Sequence, residues 1–103
     1  MPAYWVARAK INDAAEYKKY TDRVPDILKK FNGKVLARGG DYEILEGPKT
    51  FERFVVIEFP SMADARACFE SDDYKEAAAF RRQSGVAQNE LTIVDGGEIV
   101  YTG

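Results

Sequence analysis

The segment that most constrains this chain is FERFVVIEF, residues 51 to 59. Read as a strand, it places Val55, Ile57 and Phe59 on one face and Phe54, Val56 and Glu58 on the other. Such a strand is apolar on both sides, and strands of that kind are covered on both sides. With 103 residues the chain makes one domain, residues 1–103, with a single core. One core covers one face of a sheet. The second cover must come from outside the domain.

The flanking segments supply the elements. AYWVARAKI (3–11) alternates as a strand, with Trp5, Ala7, Ala9 and Ile11 opposite Tyr4, Val6, Arg8 and Lys10. Asn12-Asp13 stops it, and Asp13 with Glu16 resembles a capping box opening a helix. That helix carries its apolar stripe at Tyr17, Tyr20, Val24, Ile27, Leu28 and Phe31, with Pro25 predicting a kink or break inside it. Asn32-Gly33 is a stop that tolerates a left-handed backbone. Lys34–Arg38 and Tyr42–Leu45 are extended runs around Gly39-Gly40, read as one strand bulged at the glycines in preference to a hairpin. Glu46-Gly47-Pro48-Lys49 is a turn. Ser61 caps a helix through Met62, Ala65, Cys68 and Phe69. Ser71-Asp72-Asp73 breaks it and opens a second piece, with Tyr74, Ala77, Ala78 and Arg81 near one face. Ala87–Asp95 is a last strand, and residues 97–103 form a tail that could add a strand or dock on a partner.

The order β-α-β-β-α-β predicts an α+β, ferredoxin-like fold: a four-stranded antiparallel sheet with helices on one face. The other face is left bare. With 13% of residues aromatic, a bare apolar face marks an interaction site, and the expected partner is a second copy packed sheet to sheet as a closed homodimer.

Composition narrows the chemistry. There is no histidine, which removes the commonest general base, metal ligand and proximal haem ligand. One cysteine makes no intrachain disulfide or cysteine metal cluster, so no metal and no cofactor are expected. A net charge of -2 draws the chain neither to nucleic acid nor to anionic membrane. FERFVVIEF also lacks the glycine-aromatic pattern of RNA-reading strands. The glycine pairs lack phosphate-loop spacing, and no apolar run approaches the roughly 20 residues of a membrane span. With no secretory pattern at the start, a cytoplasmic location is expected.

ARGGDYEILEG (37–47), Arg53, VVIEFPS (55–61), Ala65, Ser71 with Tyr74, Arg81 and VDG (94–96) together resemble domain-of-unknown-function family 1330 over about residues 3–96. The resemblance implies a dimeric α+β barrel of ferredoxin-like protomers in small, mostly bacterial, cytosolic proteins, and it does not assign an activity. The chain departs from the family's usual pattern at Cys68 and Phe69, where a tryptophan and a tyrosine-like residue are common.

Seven side chains are candidates for chemistry. Glu58 falls on the Phe54–Val56 face, where a carboxylate needs a partner or becomes a general acid or base with a raised pKa. Arg38 is the expected partner, its fork suiting Glu58 or a carboxylate ligand equally. The adjacent glycines would admit a close neighbour. Arg81 is expected in a cleft or paired with a sheet carboxylate, and Arg53 is a similar case. Tyr17, Tyr20 and Tyr74 are expected in the core, or lining a pocket with Arg38 and Glu58. Trp5 reads as core or dimer interface, and Cys68 as a buried, inert thiol. The expected function is binding of a small anionic or aromatic metabolite in a dimeric barrel, extended to cofactor-free acid/base chemistry if Glu58 is reactive. The alternative is a non-catalytic sensing or assembly module whose arginines and glutamate form a structural network. Whether the chain is an enzyme stays open at this level.

Overall fold

A computed structural model describes residues 1–97. Eight elements follow one another: β1 (Ala3–Ile11), α1 (Ala14–Thr21), α2 (Val24–Lys30), β2 (Lys34–Arg38), β3 (Arg53–Phe59), α3 (Met62–Glu70), α4 (Asp72–Arg82) and β4 (Ala87–Asp95). The sheet order is β2-β3-β1-β4 with every neighbour antiparallel. This is the expected α+β arrangement. Its shortest dimension is 18 Å, the depth of one sheet carrying one layer of helices.

The core lies between those two layers. Trp5 is its centre, with ring centroids 5.0 Å from Phe59 and 5.1 Å from Tyr74. Its indole N–H donates to the Ala65 carbonyl at 3.0 Å, so the polar end of a buried ring is satisfied. Alternation puts Ala3, Ala9, Ile57 and Phe59 on the same side. Ala65, Cys68, Ala77 and Ala78, each fully buried, let α3 and α4 sit close. Burial alone pushes the Cys68 thiol up to about 12.

The helix boundaries follow local chemistry. Asp13 accepts from the Glu16 N–H at 3.1 Å, but Glu16 does not return the bond. Its carboxylate turns to Lys19 and Gln83, so only half of the expected capping box forms. The break anticipated at Pro25 falls at Asp22–Arg23, which leaves Pro25 in the first turn of α2, where a missing N–H costs nothing. Asn32 takes the left-handed conformation (φ 59°) and Gly33 N–H donates to Leu28 O at 2.9 Å, closing α2. Ser61 and Ser71 cap α3 and α4 as the sequence indicates.

One expectation is corrected. Tyr42–Leu45 is not a strand, and the ladder irregularity falls between Val35 and Ala37 instead of at the glycines. Gly39, at φ +67°, turns the chain off the sheet immediately after Arg38. Tyr42 then lays its ring on Phe54, centroids 4.9 Å apart, against the face away from the helices. The rest of that face stays open: Val6 and Val94 are 45% and 43% exposed. Of the C-terminal tail, residues 98–103 lie outside the described residues.

Replacing Trp5 with Phe removes the bond to Ala65 and leaves a gap in the core. Urea unfolding followed by far-UV circular dichroism should show a loss of about 1–3 kcal/mol, and an unchanged midpoint would contradict this packing.

Candidate functional site

The helix layer does not fill the sheet completely. Ala7 and Ala9 of β1 present only methyl groups beneath α1, and a cavity of about 40 Å³ remains there. Val55 of β3 and Leu91 of β4 floor it, and Tyr17 and Tyr20 of α1 with Val24 and Leu28 of α2 roof it. Two or three waters would occupy roughly that volume.

Its polar groups come from α1 and from all four strands. Arg38, at the end of β2, is aligned with Val55 and so faces the helix side. Its Nη2 donates to the Thr21 carbonyl at 2.9 Å. That carbonyl is available for a definite reason: Thr21 stands four residues before Pro25, which has no N–H to give it. Arg53, aligned with Ala9, faces the same way and lies 6.0 Å from the Tyr17 ring centroid. A methyl group built on Gly39 would come within 2.8 Å of Arg53 Nη1. The close neighbour that the glycine admits is therefore a guanidinium. Asn89 of β4 donates from Nδ2 to Tyr17 Oη at 3.2 Å, while its other amide end is buried without a partner.

The lining contains no aspartate or glutamate. Arg8 also borders it, but pairs with Glu90 at 2.8 Å. Among the described residues neither Arg38 nor Arg53 has a carboxylate within ion-pair distance.

The sequence-predicted residues are thus partly assembled. Arg38, Tyr17 and Tyr20 border one cavity. Tyr74 lies behind it, fully buried, its hydroxyl 2.9 Å from that of Tyr20. Arg81 is buried against the two tyrosines and donates to Tyr74 Oη at 3.1 Å, with no sheet carboxylate near it. Burial works against its charge, but the phenolic oxygens outweigh that and hold its pKa above the ordinary value.

Glu58 is not brought to this group. It faces away from the helices, half-buried, between Tyr4 and Lys34 in the register. Arg38 points to the opposite side of the sheet, because the irregularity between Val35 and Ala37 shifts its alternation. The expected Arg38–Glu58 pair does not form within one chain. Asn89 and the Thr21 carbonyl went unnoticed in the sequence. Alternation with Leu91 would have put Asn89 on the inner face, and counting four residues back from Pro25 would have found Thr21.

Comparisons with known proteins follow this geometry. The family described as "Domain of unknown function (DUF1330)" matches residues 2–97, and the chain belongs to it. No curated protein matches the chain. Among solved structures it is similar to a protein of unknown function from Rhodopseudomonas palustris, with 20% identity over 95% of this chain and 84% of that one, TM-score 0.75. It is similar to a dimeric protein of unknown function and ferredoxin-like fold from Bacteroides fragilis, with 10% identity over 91% and 95%, TM-score 0.63. A cofactor-independent oxygenase from Streptomyces nogalater shares 14% identity over 96% of each chain, TM-score 0.62. At these identities the likeness is one of fold. No helix among the described residues is long and apolar enough to cross a membrane.

Gly39→Ala forces a left-handed alanine and pushes on Arg53, whereas nothing lies within 4 Å of a methyl group at Gly40. Gly39→Ala should cost about 1–2 kcal/mol and Gly40→Ala close to nothing, measured by urea unfolding. Equal effects would mean that Arg53 does not lie on Gly39.

Proposed function

We propose that this member of a family without an assigned activity binds a small anionic metabolite, a short carboxylate, in the cavity between its sheet and the α1–α2 pair. The observation that supports this reading most is the lining itself, which offers Arg38 and Arg53 and no acidic side chain. Guanidinium groups facing a half-enclosed space without a counter-ion are matched by a planar two-oxygen anion, which each can bind through two parallel N–H groups. Volume supports the anionic over the aromatic of the two ligand classes that the sequence allows. A benzene-sized guest needs a cavity of about 150 Å³, whereas this one has about 40 Å³. A short carboxylate fits that space, and a longer molecule would have to extend past the exposed Arg38.

Binding is favoured over catalysis. The likeness to a cofactor-independent oxygenase is one of fold, and fold does not carry function. General acid/base chemistry needs a base within reach of the ligand. The cavity has no aspartate, glutamate or histidine, and Glu58 lies on the other face of the sheet. The binding unit in this proposal is a cytoplasmic homodimer, in which two copies cover each other's open sheet face. Supporting it are the exposed Val6 and Val94 and the dimeric ferredoxin-like neighbour.

Titration calorimetry with acetate and with its neutral isostere acetamide tests the ligand class. Acetate should bind, acetamide should not, and Arg53→Gln should weaken acetate about tenfold. Equal binding of the two probes, or an Arg53→Gln protein that binds acetate normally, would overturn the reading. The dimer is tested apart from it by sedimentation equilibrium. Val6→Glu puts a charge in the middle of the open face and should turn a dimer into a monomer; a wild-type monomer would refute the paired sheets.

A further inference from the structure

Two phenols and a guanidinium meet where α1 packs on α4. Arg81, 8% exposed, donates from Nη2 to Tyr74 Oη at 3.1 Å, and Tyr74 Oη lies 2.9 Å from Tyr20 Oη. The guanidinium also lies over the Tyr20 ring, 5.1 Å from its centroid. Among the described residues no carboxylate is within ion-pair distance of Arg81, and its Nε is buried without a partner. A buried charge held by phenols in place of a carboxylate is an expensive arrangement for packing alone.

Counting hydrogens gives the trio a direction. Arginine only donates, so Tyr74 Oη is the acceptor in the first bond. Each phenol has one proton, and only one of the two protons can lie between the two hydroxyl oxygens. The other needs a different acceptor. If Tyr20 donated to Tyr74, the spare proton would be that of Tyr74. That side chain is 0% exposed and packed among the Trp5 and Phe69 rings, with centroids at 5.1 and 5.5 Å. Among the described residues it meets no other acceptor, and an unpaired buried donor is costly. If Tyr74 donates to Tyr20, the spare proton belongs to Tyr20, the member of the trio that borders the cavity.

We infer that donation runs from Arg81 to Tyr74 to Tyr20, and that the Tyr20 hydroxyl donates a hydrogen bond to an oxygen of the anion in the cavity. Tyr20 is then a ligand-binding residue, and Tyr74 and Arg81 are its positioning residues. The inference rests on the anion reading above and deepens it. With Arg38 and Arg53 supplying N–H donors and Tyr20 an O–H donor, the site selects a ligand rich in acceptor oxygens, such as a carboxylate, and rejects an ammonium. Each bond in such a chain polarises the next, so the charge of Arg81 strengthens a donor it does not touch directly. Burial raises the pKa of Tyr20, which keeps the group a phenol and therefore a donor.

The test is carbon NMR of the full chain labelled at tyrosine Cζ, a nucleus that reports whether its hydroxyl donates. Sodium acetate is the probe, and Tyr20→Phe or backbone-linked correlation assigns the signal. Saturating acetate should move the Tyr20 resonance. Tyr20→Phe should weaken acetate about tenfold. Tyr74→Phe should weaken it less and should shift the Tyr20 resonance even without acetate, which a merely structural Tyr74 would not do. Acetate binding that depends on Arg53 but leaves the Tyr20 resonance and the Tyr20→Phe affinity unchanged would overturn this inference and leave the anion site standing. No acetate binding at all would remove both.

Discussion

The cavity depends on an N–H group that Pro25 does not have. In an unbroken helix, residue 25 would donate to the Thr21 carbonyl. Proline cannot, so the helix ends at Thr21 and restarts at Val24. The freed carbonyl accepts instead from Arg38, which ties the end of the edge strand β2 to the helix layer across the gap. Gly39 then turns the chain away, and its lack of a side chain gives Arg53 its place. One proline therefore sets where the first arginine is held, and a neighbouring glycine sets where the second one lies.

The same region shows why a small domain tolerates an unfilled space. Elsewhere the interface between sheet and helices is closed by large rings, with Trp5, Phe59 and Tyr74 in mutual contact. Under α1 the sheet offers Ala7 and Ala9, and the rings of Tyr17 and Tyr20 above them leave the space between unfilled. A void lined only by apolar groups would be a plain loss of packing energy. This one is bordered by arginines without counter-ions, an amide with an unpaired end and a hydroxyl at the end of a donor chain. The guanidinium and hydroxyl donors are costly to leave unsolvated, and an oxygen-rich anion would satisfy them together, whereas the unpaired Asn89 oxygen is an acceptor and needs a donor of its own. The polar lining, more than the volume, makes this a candidate binding site.

Much of the fold was legible because it rests on local rules. The alternation in AYWVARAKI and FERFVVIEF set the two central strands, Ser61 and Ser71 marked the helix starts, and Asn32-Gly33 marked a stop. Tyr42–Leu45 misled because an extended apolar run reads alike whether it pairs in a sheet or lies across one. The backbone angle at Gly39 decided between them. The site was legible by residue type and less so by partner. Arg38, Tyr17 and Tyr20 share the cavity, but Glu58 was paired with Arg38 on an alternation that the irregularity between Val35 and Ala37 shifts. A one-residue slip moves a side chain to the other face of a sheet, and nothing in KVLAR announces it. Arg81 likewise meets tyrosines, a partner that neither of its two expected placements, a cleft or a sheet carboxylate, names.

In the proposed site, anions collect between Arg38 and Arg53. The most direct measurement is a crystal structure of the protein soaked in sodium bromide, with anomalous data collected at the bromine edge. An anomalous peak is expected inside the sheet–helix cavity, within reach of the Arg53 guanidinium and the Tyr20 hydroxyl. Bromide found only on the outer lysine-bearing faces of the helices, with the cavity holding water alone, would contradict it.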